Sequence, residues 1–289
     1  MRRRTAIRGG ILFSFMVGTV ALCGFGASSA AVPGVAEFHA PRIPGPTPTT
    51  PTVTPTFGSN RGHMNLGWTS RNWSGYAVTG SAITSVVGHW TVPTVQTPAK
   101  RGQQRKNAYS STWVGIDGDT NSDLIQAGTE QDWQRRVRRQ PGSTFYQAWW
   151  EILPAAETPI ASITVHPGDA MTVSITKGVS NQWTIVVTDT TTGQTFSTVQ
   201  TYTGYEDSAE WIQEAPTIGR RVATLADDSD AIFDHGTVNG AGPGLTSSDG
   251  GAMYKGSYSN WISTPSAPNP NGDGFAVAYG SIAPAAPSS

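Results

Sequence analysis

From Trp68 onward the chain is cut into short runs of Val, Ile, Thr, Trp and Tyr, each ended by Gly, Pro, Asn or Asp. That texture constrains the fold more than any other feature, because such runs suit half-buried strands and the breakers supply turns. Strands are expected at 73–78, 83–92, 111–116, 124–127, 145–153, 170–176, 182–188, 208–213, 220–226, 232–238 and 275–279. Turns are expected at Asp117-Gly118, Pro141-Gly142, Pro167-Gly168-Asp169, Thr192-Gly193 and Asn271-Gly272-Asp273-Gly274. Residues 31–289 hold no long helical periodicity and no internal repeat. The expectation is one all-β domain over 68–283, built as a two-sheet antiparallel β-sandwich, with 284–289 as a tail.

What precedes the domain reads differently. Arg2, Arg3, Arg4 and Arg8 lead into an apolar run at 11–22, followed by small residues including Ser28 and Ala30. This is the pattern of a signal peptide over 1–30, cut after Ala30, and the run is short for a membrane anchor. Cys23, the only cysteine, falls inside it behind Leu22, where a lipoprotein signal needs a small residue. The secreted chain would then have no disulfide and no thiolate chemistry, and must be stable through packing. Residues 31–67 are rich in Pro and Thr, with Pro44, Pro46, Pro48, Pro51 and Pro55, and cannot build a core. A plain linker and a propeptide that delays activity are both open. The 19 basic and 20 acidic residues become a net charge of −5 once the four leader arginines are gone. A chain with only 13% charged residues has few carboxylates to lose in acid.

Many chemistries are excluded. There is no GxSxG elbow, no HExxH helix and no phosphate-binding glycine loop. His39 and His63 fall in the Pro-rich region; His89, His166 and His235 are isolated, without metal-ligand spacing. No metal and no cofactor are expected. Two basic clusters, Lys100/Arg101/Arg105/Lys106 and Arg135/Arg136/Arg138/Arg139, read as a solvated loop and a charged hairpin tip. A nucleic-acid patch is the weaker reading in a net-negative domain. What is left is carboxylate and amide chemistry on strands. Gln126, Glu151 and Glu210 are polar residues set among aromatics, and alternation puts Gln147, Trp149 and Glu151 on one face. Patterning alone does not rank these above a solvated sheet face. Trp90 and Trp183, in apolar strands, read as core.

Five short motifs, in order, resemble the glutamic peptidases (eqolisins). They are Asn72-Trp73-Ser74-Gly75-Tyr76, Trp113-Val114-Gly115-Ile116-Asp117-Gly118, Leu124-Ile125-Gln126-Ala127-Gly128, Tyr146-Gln147-Ala148-Trp149-Trp150-Glu151 and Ala209-Glu210-Trp211-Ile212. The resemblance spans about Asn72 to Tyr279. It implies a concanavalin A/lectin-like jelly roll with a substrate groove on one sheet, and Glu210 and Gln126 as the catalytic pair. It also implies groove roles for Trp73, Trp113, Tyr146, Trp149 and Glu151, and a carboxylate near the site at Asp117. Gln147 and Glu130 stand where family members have Asp, leaving pH optimum and subsite preference open.

The resemblance implies a secreted acid endopeptidase, a monomer acting on polypeptides without metal, nucleic acid or membrane. One carboxylate can serve as base and then acid, while a glutamine amide stabilises the oxyanion. An uncharged partner avoids the coupled titration of two close carboxylates. The alternative is a carbohydrate-binding or glycoside-hydrolysing sandwich, with Glu151 and Glu210 as the paired carboxylates.

Overall fold

The protein is described by a computed structural model covering residues 37–43, 66–135, 137, 141–256 and 260–288. The expected signal peptide and most of the Pro-rich stretch, with Cys23 and His63, lie outside the described residues, as do Arg136, Arg138 and Arg139. The first strands are β1 (Glu37–Phe38), β2 (Trp68–Ser70), β3 (Trp73–Thr79), β4 (Ser85–Thr91), β5 (Ser111–Ile116) and β6 (Ile125–Gln134). Next come β7 (Ser143–Ile152), β8 (Thr158–Pro159), β9 (Ala170–Lys177), β10 (Gln182–Asp189), β11 (Gln194–Thr201) and β12 (Ser208–Glu214). The last are β13 (Thr217–Ile218), β14 (Arg221–Val222), β15 (Ala231–Val238), β16 (Gly250–Tyr254), β17 (Trp261–Pro265) and β18 (Phe275–Tyr279). Among the described residues the only helical pieces are two three-residue 3₁₀ turns.

A hydrogen-bonded path runs β11-β10-β9-β4-β15-β18-β17-β16-β3-β12-β5-β6-β7-β8, with β2 added to β16 in parallel. The path folds back on itself, so that β5, β6 and β12 pack against β4, β9, β10 and β15. Alternation supplies the filling. Val114 and Ile116, Ile125 and Ala127, Ala209 and Trp211 point inward from one layer. Val86, Trp90, Val173, Ile175, Trp183, Ile185 and Val187 meet them from the other. This is the antiparallel β-sandwich expected, with Trp90 and Trp183 in its core. A small separate sheet, β1-β13-β14, sits beyond the end of β12.

The differences have local causes. β11 and the pair β16 and β17 were not expected. β11 is an edge strand whose Thr and Gln side chains alternate between exposed and half-buried, so it shows no apolar face. β6 continues to Gln134 through Glu130 and Asp132, which look like loop residues but are buried. The strand expected at 220–226 shrinks to β14, because Gly219 at φ 65° makes it the return arm of a tight hairpin. The Asp117-Gly118 turn does form, at φ 71° and 99°, and closes β5 just where the site lies.

Candidate active site

Directly paired residues of adjacent antiparallel strands share a face. The register therefore draws three rows across β3, β12, β5, β6 and β7. The first is Ala77, Glu210, Gly115, Gln126 and Glu151. The second is Gly75, Ile212, Trp113, Gly128 and Trp149, and the third is Trp73, Glu214, Ser111, Glu130 and Gln147. All turn away from the main core. Glu210 and Gln126 flank Gly115, two strand spacings or about 10 Å apart at Cα. A β-carbon on Gly115 would lie 3.0 Å from Trp113 and from Leu124. Glycine thus lets those two side chains close over β5 between the pair.

The face is covered. Residues 39–43 lie along it, held by hydrogen bonds. Gln126 Nε2 donates to the His39 carbonyl oxygen at 2.9 Å and to Glu151 Oε2 at 2.8 Å. The His39 amide donates to the same Glu151 oxygen at 3.2 Å. Trp73 Nε1 donates to the Ala40 carbonyl at 3.0 Å, and Asn72 Nδ2 to the Ala40 and Pro41 carbonyls at 3.3 and 3.2 Å. The Ile43 amide donates to Asn72 Oδ1 at 2.8 Å. Arg42 pairs with Asp119, donates its amide to the Gly118 carbonyl at 3.0 Å, and sets its guanidinium 5.3 Å from the Trp68 ring centre.

The His39 ring is wholly buried. It stacks on Trp149 with centres 3.7 Å apart and planes at 7°. Nε2 lies 2.9 Å from Glu157 Oε2, and Nδ1 lies 3.3 Å from Glu214 Oε2, a charge contact outside hydrogen-bond geometry. Burial pulls the imidazole pKa down, but the two carboxylates outweigh it and hold it well above its ordinary value. An acidic group at each nitrogen favours the imidazolium form.

Glu210 is fully buried, and neither of its oxygens makes a hydrogen bond among the described residues. Burial, opposed by Ser208 and reinforced by Asp119, Asp117 and Asp207, pushes its carboxyl well above the ordinary value. Glu151 is raised to about 8, chiefly by burial, with His39 pulling it back. Glu214 is raised by burial, against His39, the Trp113 indole N–H and the Asn72 amide.

The structure brings Glu210, Gln126, Trp73, Trp113, Trp149 and Glu151 to one face. It does not bring Tyr146 there. That residue has the opposite parity in β7, packs against the main core, and accepts the Val95 amide at 3.0 Å. Asp117 lies at the end of β5 and organises a loop. It accepts from Tyr202 Oη, from the Glu206 and Asp207 amides at 3.1 Å each, and from Asn121 Nδ2 at 3.2 Å. This ties down the approach to β12 just ahead of Glu210. Sequence reasoning missed His39, Asn72 as a peptide anchor, Glu157 and Glu214. Alternation could have found Glu214, four residues beyond Glu210 on one strand; nothing local marks His39.

Elsewhere, Asp234, His235 and Asp273 bring three potential ligand atoms within 4.8 Å of one another, although their spacing in sequence gives no hint of it. Asp234 Oδ1 already accepts from the His235 amide, and Asp273 Oδ1 from Asn269.

Comparison with known proteins places the chain among relatives. A profile of the peptidase A4 family matches residues 71–279. Aspergillopepsin-2 of Aspergillus niger is 29% identical over 204 residues, covering 64% of this chain and 70% of that protein. Scytalidopepsin B of Scytalidium lignicola is 32% identical over 127 residues, covering 44% of this chain and 43% of that protein. The crystal structure of scytalido-glutamic peptidase with a transition-state analogue inhibitor superposes with a TM-score of 0.56 at 23% identity, over 72% of this chain and 98% of that one. The family match runs from just before β3 to the end of β18, taking in every strand that carries the three rows. The chain therefore belongs to the peptidase A4 family, the glutamic peptidases or eqolisins, and is a peptide-hydrolysing endopeptidase.

Proposed function

We propose a secreted acid endopeptidase in which Glu210 is general base and then general acid, and Gln126 is the oxyanion donor. One observation carries this reading: Gln126 Nε2 already donates to a peptide carbonyl, that of His39, at 2.9 Å. A substrate carbonyl seated there would gain the same donor as negative charge develops on its oxygen. Gln126 Oε1 and both Glu210 oxygens make no hydrogen bond among the described residues and are available to a water. Glu210 takes a proton as the water oxygen attacks the carbonyl carbon, and returns it to the nitrogen as the C–N bond breaks. Glu151, by accepting from the Gln126 amide, aims that amide at the carbonyl.

The signal peptide is taken as 1–30, and 31–67 as a propeptide rather than a linker, since 39–43 lie where a substrate would. With that segment seated on Gln126 the groove is occupied, so the full chain is latent until the segment leaves.

The test is digestion of a reduced, unfolded protein at pH 3–5. Cleavage is expected with the wild type, a drop of about 10²–10³-fold in Gln126→Ala, and loss in Glu210→Gln. Undiminished cleavage by Glu210→Gln would end the reading. Mass spectrometry after acid exposure should find a new N-terminus beyond Ile43; retention of residues 39–43 in active enzyme would contradict latency. For a glycosidase, Glu151 and Glu210 stand three strand spacings apart, about 14 Å at Cα, with Gln126 between them.

A further inference from the structure

We infer that the pocket formed by Trp149, Glu157 and Glu214 is a specificity subsite for a flat cationic side chain, histidine above all, on the residue that precedes the bond to be cleaved. The inference rests on the peptidase reading of the same face, and names the substrate class that it would select.

The position follows from the backbone. The carbonyl on Gln126 belongs to His39, so the His39–Ala40 peptide is the one aligned with the donor amide. The His39 side chain therefore occupies the pocket that receives the residue just before the cleaved bond. The pocket is built for a charged ring. Its floor is the Trp149 indole, parallel to the imidazole at 3.7 Å, a geometry that favours a flat π-system or a cation. Its two sides are carboxylates facing opposite ring nitrogens, Glu157 at 2.9 Å and Glu214 at 3.3 Å. Neither is placed by chance. Trp113 Nε1 donates to Glu214 Oε2 at 2.9 Å and Asn72 Nδ2 to Oε1 at 3.3 Å. Glu157 leads into β8, whose pairing with β7 holds Pro159 opposite Trp149.

The charged groups around the ring are Glu157 ahead of β8, Glu214 on β12 and Glu151 on β7, the last engaged by Gln126 and the His39 amide. No cation besides the imidazolium is paired with Glu157 or Glu214 among the described residues. An aliphatic side chain would take the cationic partner from Glu157 and leave Glu214 with only its neutral donors, which is costly. Arginine can bridge the two with its fork of donors; lysine can meet one at a time. Selection rests on the pairing of the charged ring with these two acidic groups.

The test uses the full chain after acid exposure, once mass spectrometry shows residues 39–43 removed and the pocket empty, and eight-residue peptides identical except for His, Arg or Leu before the cleaved bond, at pH 5. The expected kcat/KM for His exceeds that for Leu by about ten-fold or more, the worth of one charge-assisted hydrogen bond. Glu157→Gln in the same background should cut that ratio to about two-fold. Glu157→Lys should turn preference toward a Glu-containing peptide. A Leu peptide cut as well as the His peptide, with a ratio unmoved by Glu157→Gln, overturns the inference. Should no peptide and no unfolded protein be cleaved, the peptidase reading fails, and fluorescence anisotropy of the labelled peptides decides the pocket separately. A His-over-Leu affinity ratio near ten upholds it, and equal affinities overturn it. Should the segment not be released, hydrogen exchange of the backbone amides of residues 39, 40, 42 and 43 in otherwise native chains gives the answer. Protection should persist in His39→Arg and collapse in His39→Leu; equal protection in both refutes the pocket.

Discussion

At the scale of single residues, the site depends on how Gln126 is aimed. Its amide meets two acceptors, Glu151 Oε2 and the His39 carbonyl, and only the first belongs to the sheet. Glu151→Leu should therefore lower kcat/KM by about ten-fold or more through loss of orientation, while Glu151→Gln, which keeps a carbonyl acceptor, recovers most of it. With residues 39–43 seated, burial raises the Glu151 carboxyl to about 8. Above that its charge opposes the developing oxyanion nearby. The alkaline fall in the wild-type rate should be shallower in Glu151→Gln; a decline unmoved by the substitution would assign it elsewhere. From sequence, Glu151 could not be ranked against Glu210, because both are glutamates on aromatic-rich strands. The register separates them, placing Glu151 beside Gln126 and Glu210 across Gly115.

At the scale of elements, glycines set the spacing of the strands that carry the site. Gly75 in β3 has φ 143°, and a β-carbon there would lie 2.2 Å from the Trp211 carbonyl oxygen in β12. Gly75→Ala should push β3 from β12 and cost about 2 kcal/mol or more, read as a fall in Tm of roughly 5 °C or more. An unchanged Tm would mean that the strands shift without cost. Most strands on this face were legible because they carry Trp, Tyr and Val in alternation. β6 beyond Gly128 was not, since Glu130 and Asp132 are buried polar residues and break the pattern that burial ordinarily writes.

At the scale of the molecule, buried acids make stability depend on pH in an uncommon direction. Glu151 is raised to about 8 and Asp228 to about 7, in both cases chiefly by burial; Glu210, Glu214 and Asp132 move the same way. Each binds its proton more tightly folded than unfolded. Their contribution is complete below the ordinary carboxylate range, near 4, and is lost as pH rises toward 7–8. His39, also raised, adds to the same trend above its ordinary value of 6.5. The Tm should be higher at pH 5 than at pH 8 by roughly 5–10 °C. A higher Tm at pH 8 would show that these acids titrate normally.

The amino-acid sequence by itself determined the β-sandwich class, its turns and the core tryptophans, and five ordered motifs pointed to Glu210 and Gln126 as the proposed pair. These are properties of local pattern: alternation, turn chemistry and short runs of residue types that survive without knowing what lies opposite. Only the tertiary structure decided that Gly115 separates Glu210 and Gln126, that Tyr146 faces the core, and that His39 lies on the face carrying them, between Glu157 and Glu214. Those facts depend on strand register and on contacts between residues more than a hundred positions apart, such as His39 and Glu151. No local pattern encodes such a pairing, because its energy exists only once the two segments have met.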